Sequence, residues 1–197
     1  MWPLGINRAV SGASTNSHID QGHWKTAHTA IKSQVAAGRR TIVTIQFGHN
    51  DYVKVGKPQE FAENLVKMVK NVRAAKAEPV LVTPLVKTDF SSNNTIVDDL
   101  AAYAARTVAV AKQEKVPLVD LHRTSVIYCE AIGKDAARRL NNDPARAIHV
   151  NRNGAVVYGR MVADLLNAEF RLAGLNLLPI VPNPELSRNI SQGIPSY

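Results

Sequence analysis

Cysteine is nearly absent from this chain: Cys129 is the single one in 197 residues, so no internal disulfide can form. It lies in an apolar-periodic stretch beside Val126 and Ile127, which predicts a buried structural thiol rather than a nucleophile, since a reactive thiol needs a histidine partner and some source of activation. Aromatic residues are scarce at 6%, and no basic run is interleaved with them. This argues against a nucleic-acid surface even though Lys+Arg number 24 against Asp+Glu 16, a formal charge of +8. The basic residues are scattered (Arg39-Arg40, Lys67, Lys70, Arg73, Lys76, Arg138-Arg139) and are those of a solvated surface that would suit an anionic polymer. No apolar run is long enough to cross a bilayer, so no membrane partner is expected. The opening Met1-Trp2-Pro3-Leu4-Gly5 has no basic leader followed by an apolar stretch. No His, Cys, Asp and Glu cluster has metal-ligand spacing, so neither a metal nor an organic cofactor is expected. Two glycosylation triplets, Asn93-Asn94-Thr95 and Asn189-Ile190-Ser191, mildly favour secretion.

What the chain does contain is alternation. Arg40 to Phe47 (RTIVTIQF), Pro79 to Thr83 (PVLVT) and Val116 to Leu121 (VPLVDL) are short, β-rich and apolar throughout, the pattern of strands covered on both faces. Between and around them, Trp24–Ala37, a segment opened by Pro58, Ile96–Glu114, Thr124–Leu140 and Ala155–Phe170 carry apolar residues at helical spacing. Ile6–Val10 is predicted to be a further short strand. Leu177–Tyr197, rich in Pro, Asn and Ser, has no period and is predicted to be irregular. Strand–helix–strand repeats imply a parallel sheet with helices on both faces, because parallel neighbours need a crossover. In such sheets functional residues gather at the carboxyl ends of the strands.

Three stretches fall at those ends. After the first strong strand comes Gly48-His49-Asn50-Asp51, where Asn50 offers a neutral side-chain donor at the sheet rim; on its own the tetrapeptide is equally an ordinary turn. After the early segment comes Asn7-Arg8-Ala9-Val10-Ser11-Gly12-Ala13-Ser14, in which Gly12 could expose a backbone N–H. Before the last long helix comes His149-Val150-Asn151-Arg152-Asn153-Gly154, with a histidine whose ordinary pKa suits a general base. His18, His23, His28 and His122 are read as solvated histidines.

Together, NRAVSGAS, TIQFGHND, VLVTPL and IHVNRNGAVVYGRMVADLL resemble blocks of the SGNH (GDSL-like) hydrolase superfamily, and most closely its rhamnogalacturonan acetylesterase-like branch, in order and spacing up to about Phe170. The resemblance implies a three-layer α/β/α, flavodoxin-like fold over 1–172, followed by an irregular extension over 173–197. It implies Gly12 and Asn50 as oxyanion donors and His149 as the base. It also implies an O-acetylated, possibly pectic, polysaccharide as substrate, no cofactor, and an extracellular setting.

Two features depart from the family pattern. Its first block, a Gly-Asp-Ser turn ending the first strand, supplies the nucleophilic serine; here the first serine is Ser11, inside the second block. Ser11 and Ser14 flank Gly12 and are poor substitutes, so no nucleophile is assigned. The family's aspartate three positions before the histidine is Arg146, and Asp143 could serve only if the 141–148 segment is rearranged. The expectation is therefore a hydrolase body, shortened at its front by a truncated gene model and short of its first central strand, with Ile6–Val10 either paired to Thr41–Phe47 or leaving open edges. Such a chain is inactive or impaired as an esterase. The alternative is a non-catalytic carbohydrate-binding relic of the same fold.

Overall fold

The computed structural model describes residues 5–172 and 181–196. The order is α1 (Thr15–Asp20), α2 (His23–Ala36), β1 (Ile42–Gln46), α3 (His49–Lys54), α4 (Pro58–Ala74), β2 (Glu78–Val82), α5 (Ala101–Glu114), β3 (Leu118–Val119), α6 (Leu121–Ile132), α7 (Lys134–Arg138), β4 (Asn141–Asp143), β5 (Arg146–Val150), α8 (Arg152–Leu172) and α9 (Pro184–Ser191). β1, β2 and β3 form a parallel sheet in that order, with Ile42 opposite Glu78 and Leu81 opposite Leu118.

Helices cover both faces of this sheet, as the alternating pattern requires. On one face Ile45 and Leu81 meet Ile31 of α2, the Phe61, Leu65, Met68, Val69 and Val72 stripe of α4, and Tyr103 and Val110 of α5. On the other, Val80, Val82 and Val119 meet Tyr128 and Cys129 of α6, Met161 and Phe170 of α8, and Ile190 of α9. Pro58 sits in the first turn of α4, where its missing N–H breaks no helix bond. Cys129 is buried, as its setting predicts; burial pushes the thiol up to about 11, and its sulfur lies 3.3 Å from the Tyr158 hydroxyl.

Several expectations are corrected. Ile6–Val10 forms no strand: the segment is exposed and pairs with no strand among the described residues. Strand propensity alone does not make a strand; a laterally bonded neighbour is required. Among the described residues β1 has a strand partner on one side, β2, and Thr44 and Gln46, expected inside, are exposed. The predicted helix over Thr124–Leu140 is two helices broken at Gly133. The segment bearing His149 is a short antiparallel hairpin, β4–β5, and not a loop. The extension over 173–197 is not irregular throughout, because Asn183 caps α9 through its side chain and Pro184 opens it. Tyr128 Oη donates to the Ile194 carbonyl at 3.2 Å, tying the segment after α9 back to α6. Residues 173–180 and 197 lie outside the described residues.

The first turn of α8 is seated against the start of β4 with no room to spare. Asn151 N–H donates to the Leu140 carbonyl at 2.9 Å, and Asn151 Oδ1 accepts from Gly154 N–H at 2.9 Å. A Cβ on Gly154 would stand 2.2 Å from the Leu140 carbonyl oxygen, a backbone atom that cannot swing away. Gly154→Ala is therefore expected to destabilise the fold by about 1–3 kcal/mol through overpacking. Urea denaturation checks this, and an unchanged midpoint would mean that this contact is looser than described.

Candidate active site

Asn50 follows directly on the carboxyl end of β1, the Gly12 turn is bonded to the same helix, and His149 acts on that helix electrostatically through His49. Asn50 lies in the first turn of α3, directly after β1. The chain enters that turn through Gly48, whose φ of 136° is a conformation side chains rarely adopt, and a Cβ there would meet the Pro84 ring at 3.1 Å. The end of β2 therefore packs tightly against the residue that aims Asn50. Among the described residues no hydrogen bond engages the Asn50 side chain, so its amide remains available to a ligand.

Gly12 lies in the turn leading into α1, with Lys54 Nζ, at the far end of α3, donating to its carbonyl. Three residues on, the Asp51 carboxylate accepts from Thr15 N–H at 2.9 Å and from Thr15 Oγ1 at 2.6 Å. Asn64 of α4 donates to Thr15 Oγ1 at 3.2 Å, and Tyr103 Oη donates to the Asp51 carbonyl at 3.2 Å. This buried lattice holds the Gly12 turn and the Asn50 turn in one corner. Burial raises the Asp51 pKa above the ordinary carboxylate value, against the Thr15 bonds that lower it.

His149 is on β5 and exposed. Its link to the corner runs through His49, the residue before Asn50. The His49 ring is held down to about 4, first by burial and then by the neighbouring Lys87, His122 and His149, against a hydrogen bond to the Leu85 backbone that raises it. His49 and His149 are thus within electrostatic reach of one another. Asp143, at the end of β4 in the same hairpin, accepts from the Ala145 N–H through Oδ1 and shapes the β4–β5 turn. Ser14 is spent as the cap of α1, its hydroxyl accepting from Ser17 N–H, while Ser11 is exposed.

The sequence reading missed His122. Far from solvated, it is 6% exposed, with Nδ1 3.1 Å from the Pro84 carbonyl and Nε2 3.0 Å from Asp98 Oδ2. Its N–H donates to Thr83 Oγ1 at 2.7 Å, so it clamps the segment after β2 onto the start of α6. The available signal was its place three residues after the end of β3, at the same sheet rim. His18 is likewise buried, its ring edge-on to Phe47 at 5.3 Å. Lys87, also missed, bonds Asp99 at 2.6 Å and Asp89 at 3.2 Å and lies over the Tyr52 ring.

The sequence profile described as the GDSL-like Lipase/Acylhydrolase family matches residues 3–157. The chain belongs to this family. Rhamnogalacturonan acetylesterase RhgT of Bacillus subtilis is 33% identical over 173 residues, covering 80% of this chain and 72% of RhgT. YxiM of Bacillus subtilis, described as an uncharacterized esterase, is 27% identical over 187 residues, 85% of this chain and 49% of YxiM. Its crystal structure superposes with a TM-score of 0.70 at 25% identity, covering 85% of this chain and 45% of that one. This GDSL-like chain therefore spans about half the length of YxiM. The acetyl xylan esterase AlAXEase shares the fold at 16% identity, with a TM-score of 0.56 and coverage of 81% of this chain and 77% of that one. The α/β architecture and the acetylesterase relatives agree with the resemblance drawn from the motif blocks. Among the described residues no helix is long and apolar enough to cross a membrane.

Proposed function

We propose that this chain is the body of an extracellular carbohydrate O-acetylesterase of the SGNH type, acting on an acetylated pectic polysaccharide, and that as given it binds this substrate but hydrolyses it poorly. The observation that supports the reading is the shared corner. Lys54 and Asp51 of α3 hold the Gly12 turn, Asn50 directly precedes Asp51 on the same helix, and His49 couples that helix to His149. In this reading the Gly12 N–H and the Asn50 amide hold the oxygen on which negative charge develops, and His149 moves the proton. Poor turnover follows in this reading from the hydroxyls at hand: Ser14 caps α1, and Ser11 adjoins Gly12, the residue read as an oxyanion donor. The name of RhgT supplies the polymer class, and the +8 charge suits an anionic chain.

Isothermal titration with acetylated rhamnogalacturonan fragments tests the binding half. Saturable binding is expected, weaker for the deacetylated fragments and for Asn50→Ala. Absence of binding to either fragment removes the carbohydrate reading.

A further inference from the structure

Residues 84–98 run from just after β2 toward α5 and form a wall beside the helix that carries Asn50. At its start a Cβ on Gly48 would meet Pro84 at 3.1 Å, and Lys87 lies 5.6 Å over the Tyr52 ring of α3. The middle of the wall folds back on itself. Phe90 is bridged to Ile96, Ser91 N–H donates to the Thr95 carbonyl at 2.9 Å, and Val97 N–H donates to the Asp89 carbonyl at 2.8 Å. Single side chains pin it to the body: Ser125 Oγ accepts from Val86 N–H at 3.2 Å, Glu130 accepts from Ile96 N–H at 2.9 Å, and Asn141 donates to Thr88 Oγ1.

One side chain holds both ends. His122 Nδ1 lies 3.1 Å from the Pro84 carbonyl oxygen at the start of the wall, and Nε2 lies 3.0 Å from Asp98 Oδ2 at its finish. A carbonyl oxygen and an ionised carboxylate can only accept, whereas a neutral imidazole has a single N–H to give. Satisfying both contacts takes an N–H at each ring nitrogen, which is the imidazolium. The other assignment, a neutral ring facing a protonated Asp98, would strip the charge from a carboxyl group whose side chain is 35% exposed to water. The His122 side chain is 8% exposed, so neither nitrogen can turn to solvent for a substitute partner. With both nitrogens engaged, the ring has none left to take a proton from a ligand, which separates it from a general base.

The charged groups around the ring come from four directions. Among the described residues Asp98 is the carboxylate bonded to it. His49 of α3 is within electrostatic reach and is neutral at pH 7, its pKa held near 4; Lys87 and His149 act on His49 as well. Lys87 has its own carboxylates, Asp99 at 2.6 Å and Asp89 at 3.2 Å. Asp120, at the start of the helix that bears His122, accepts from Thr83 Oγ1 at 3.1 Å and from Arg123 N–H at 3.3 Å.

We propose that His122 is a proton-gated staple: as an imidazolium it closes the 84–98 wall, and on losing its second ring proton to solvent it releases one end of that wall. The nitrogen that gives up its proton then turns a lone pair toward an oxygen, so an attraction becomes a repulsion. The device does not depend on which ligand the neighbouring rim takes. Nitrogen-15 NMR of the ring, combined with amide hydrogen exchange, tests it on the full chain. At pH 7 both ring nitrogens should carry a proton. Between pH 7 and 9 the Val86, Ile96 and Val97 amides, corrected for intrinsic exchange, should lose protection at least about tenfold, the weight of one charge-assisted hydrogen bond. That loss should follow the ring's nitrogen shifts, while the α4 amides keep their protection. His122→Gln cannot titrate and should show low protection of the wall at every pH. Asp98→Asn, the gentler change, offers an amide donor to a neutral ring, so its wall should stay closed across the same range. A single ring proton at pH 7 overturns the proposal, as does protection of the wall that does not follow the ring between pH 7 and 9. An Asp98→Asn wall that opens together with the parent's overturns it too.

Discussion

Against p-nitrophenyl acetate, this chain should turn over on the order of a millionfold more slowly than a serine-bearing member of its family, the usual consequence of losing the nucleophile of a serine–histidine site. In the proposed reading the Gly12 and Asn50 donors still stabilise charge on a carbonyl oxygen attacked by water. Residual hydrolysis should therefore fall further in Asn50→Ala and be indifferent to Ser11→Ala. The steady-state rate of nitrophenolate release, compared across the chain, these two variants and a serine-bearing relative, measures all of this. Turnover at ordinary esterase rates would refute the impairment, and its loss in Ser11→Ala would then identify the attacking hydroxyl.

The second large effect is on stability against pH. His49 titrates at 6.5 in the unfolded chain and at about 4 when folded, chiefly because it is buried. Between those values the unfolded chain takes up a proton that the folded chain refuses, so stability falls as pH falls from 6.5 and the loss is complete below about 4. At roughly 1.4 kcal/mol per unit, this amounts to about 3 kcal/mol. Asp51 acts in the opposite direction. Its folded pKa is raised, so the folded chain takes up the proton first, and stability is gained as pH falls through that value toward 3.8. Subtracting the urea midpoints of His49→Gln from those of the parent chain at each pH isolates the histidine. The difference should shrink steadily below pH 6.5, and a difference that does not vary with pH would show that His49 is not buried as a neutral ring.

The parts of the fold that were legible in the sequence are those that local pattern determines. The α4 stripe of Phe61, Leu65, Met68, Val69 and Val72 follows the helical period without interruption, and each of these side chains is at most 1% exposed. The same holds for β2, whose PVLV run is buried as expected for a strand covered on both faces. Illegible parts depend on partners distant in the chain. Ile6–Val10 has strand-forming residues but no strand bonded beside it. His122 gives no local sign of burial, because the carboxylate it meets, Asp98, lies 24 residues earlier. The hairpin bearing His149 carries a turn signal in Asp143-Pro144-Ala145, yet its flanks are too polar and too short to announce strands. At the site, the positions of Gly12, Asn50 and His149 came from the motif blocks. The Thr15–Asp51–Asn64 lattice that gathers the first two could not be read from any single block.

The way the polypeptide finishes has a practical consequence. α9 lays Leu186 and Ile190 on the core that also contains Tyr128 and Phe170, and Gly193 fits so closely over Ala131 that an added methyl carbon would come within 2.5 Å. Cutting the gene after α8 for convenience in expression would strip an oily stripe bare and hand it to water, so a shortened clone should be judged by its solubility before its chemistry is measured.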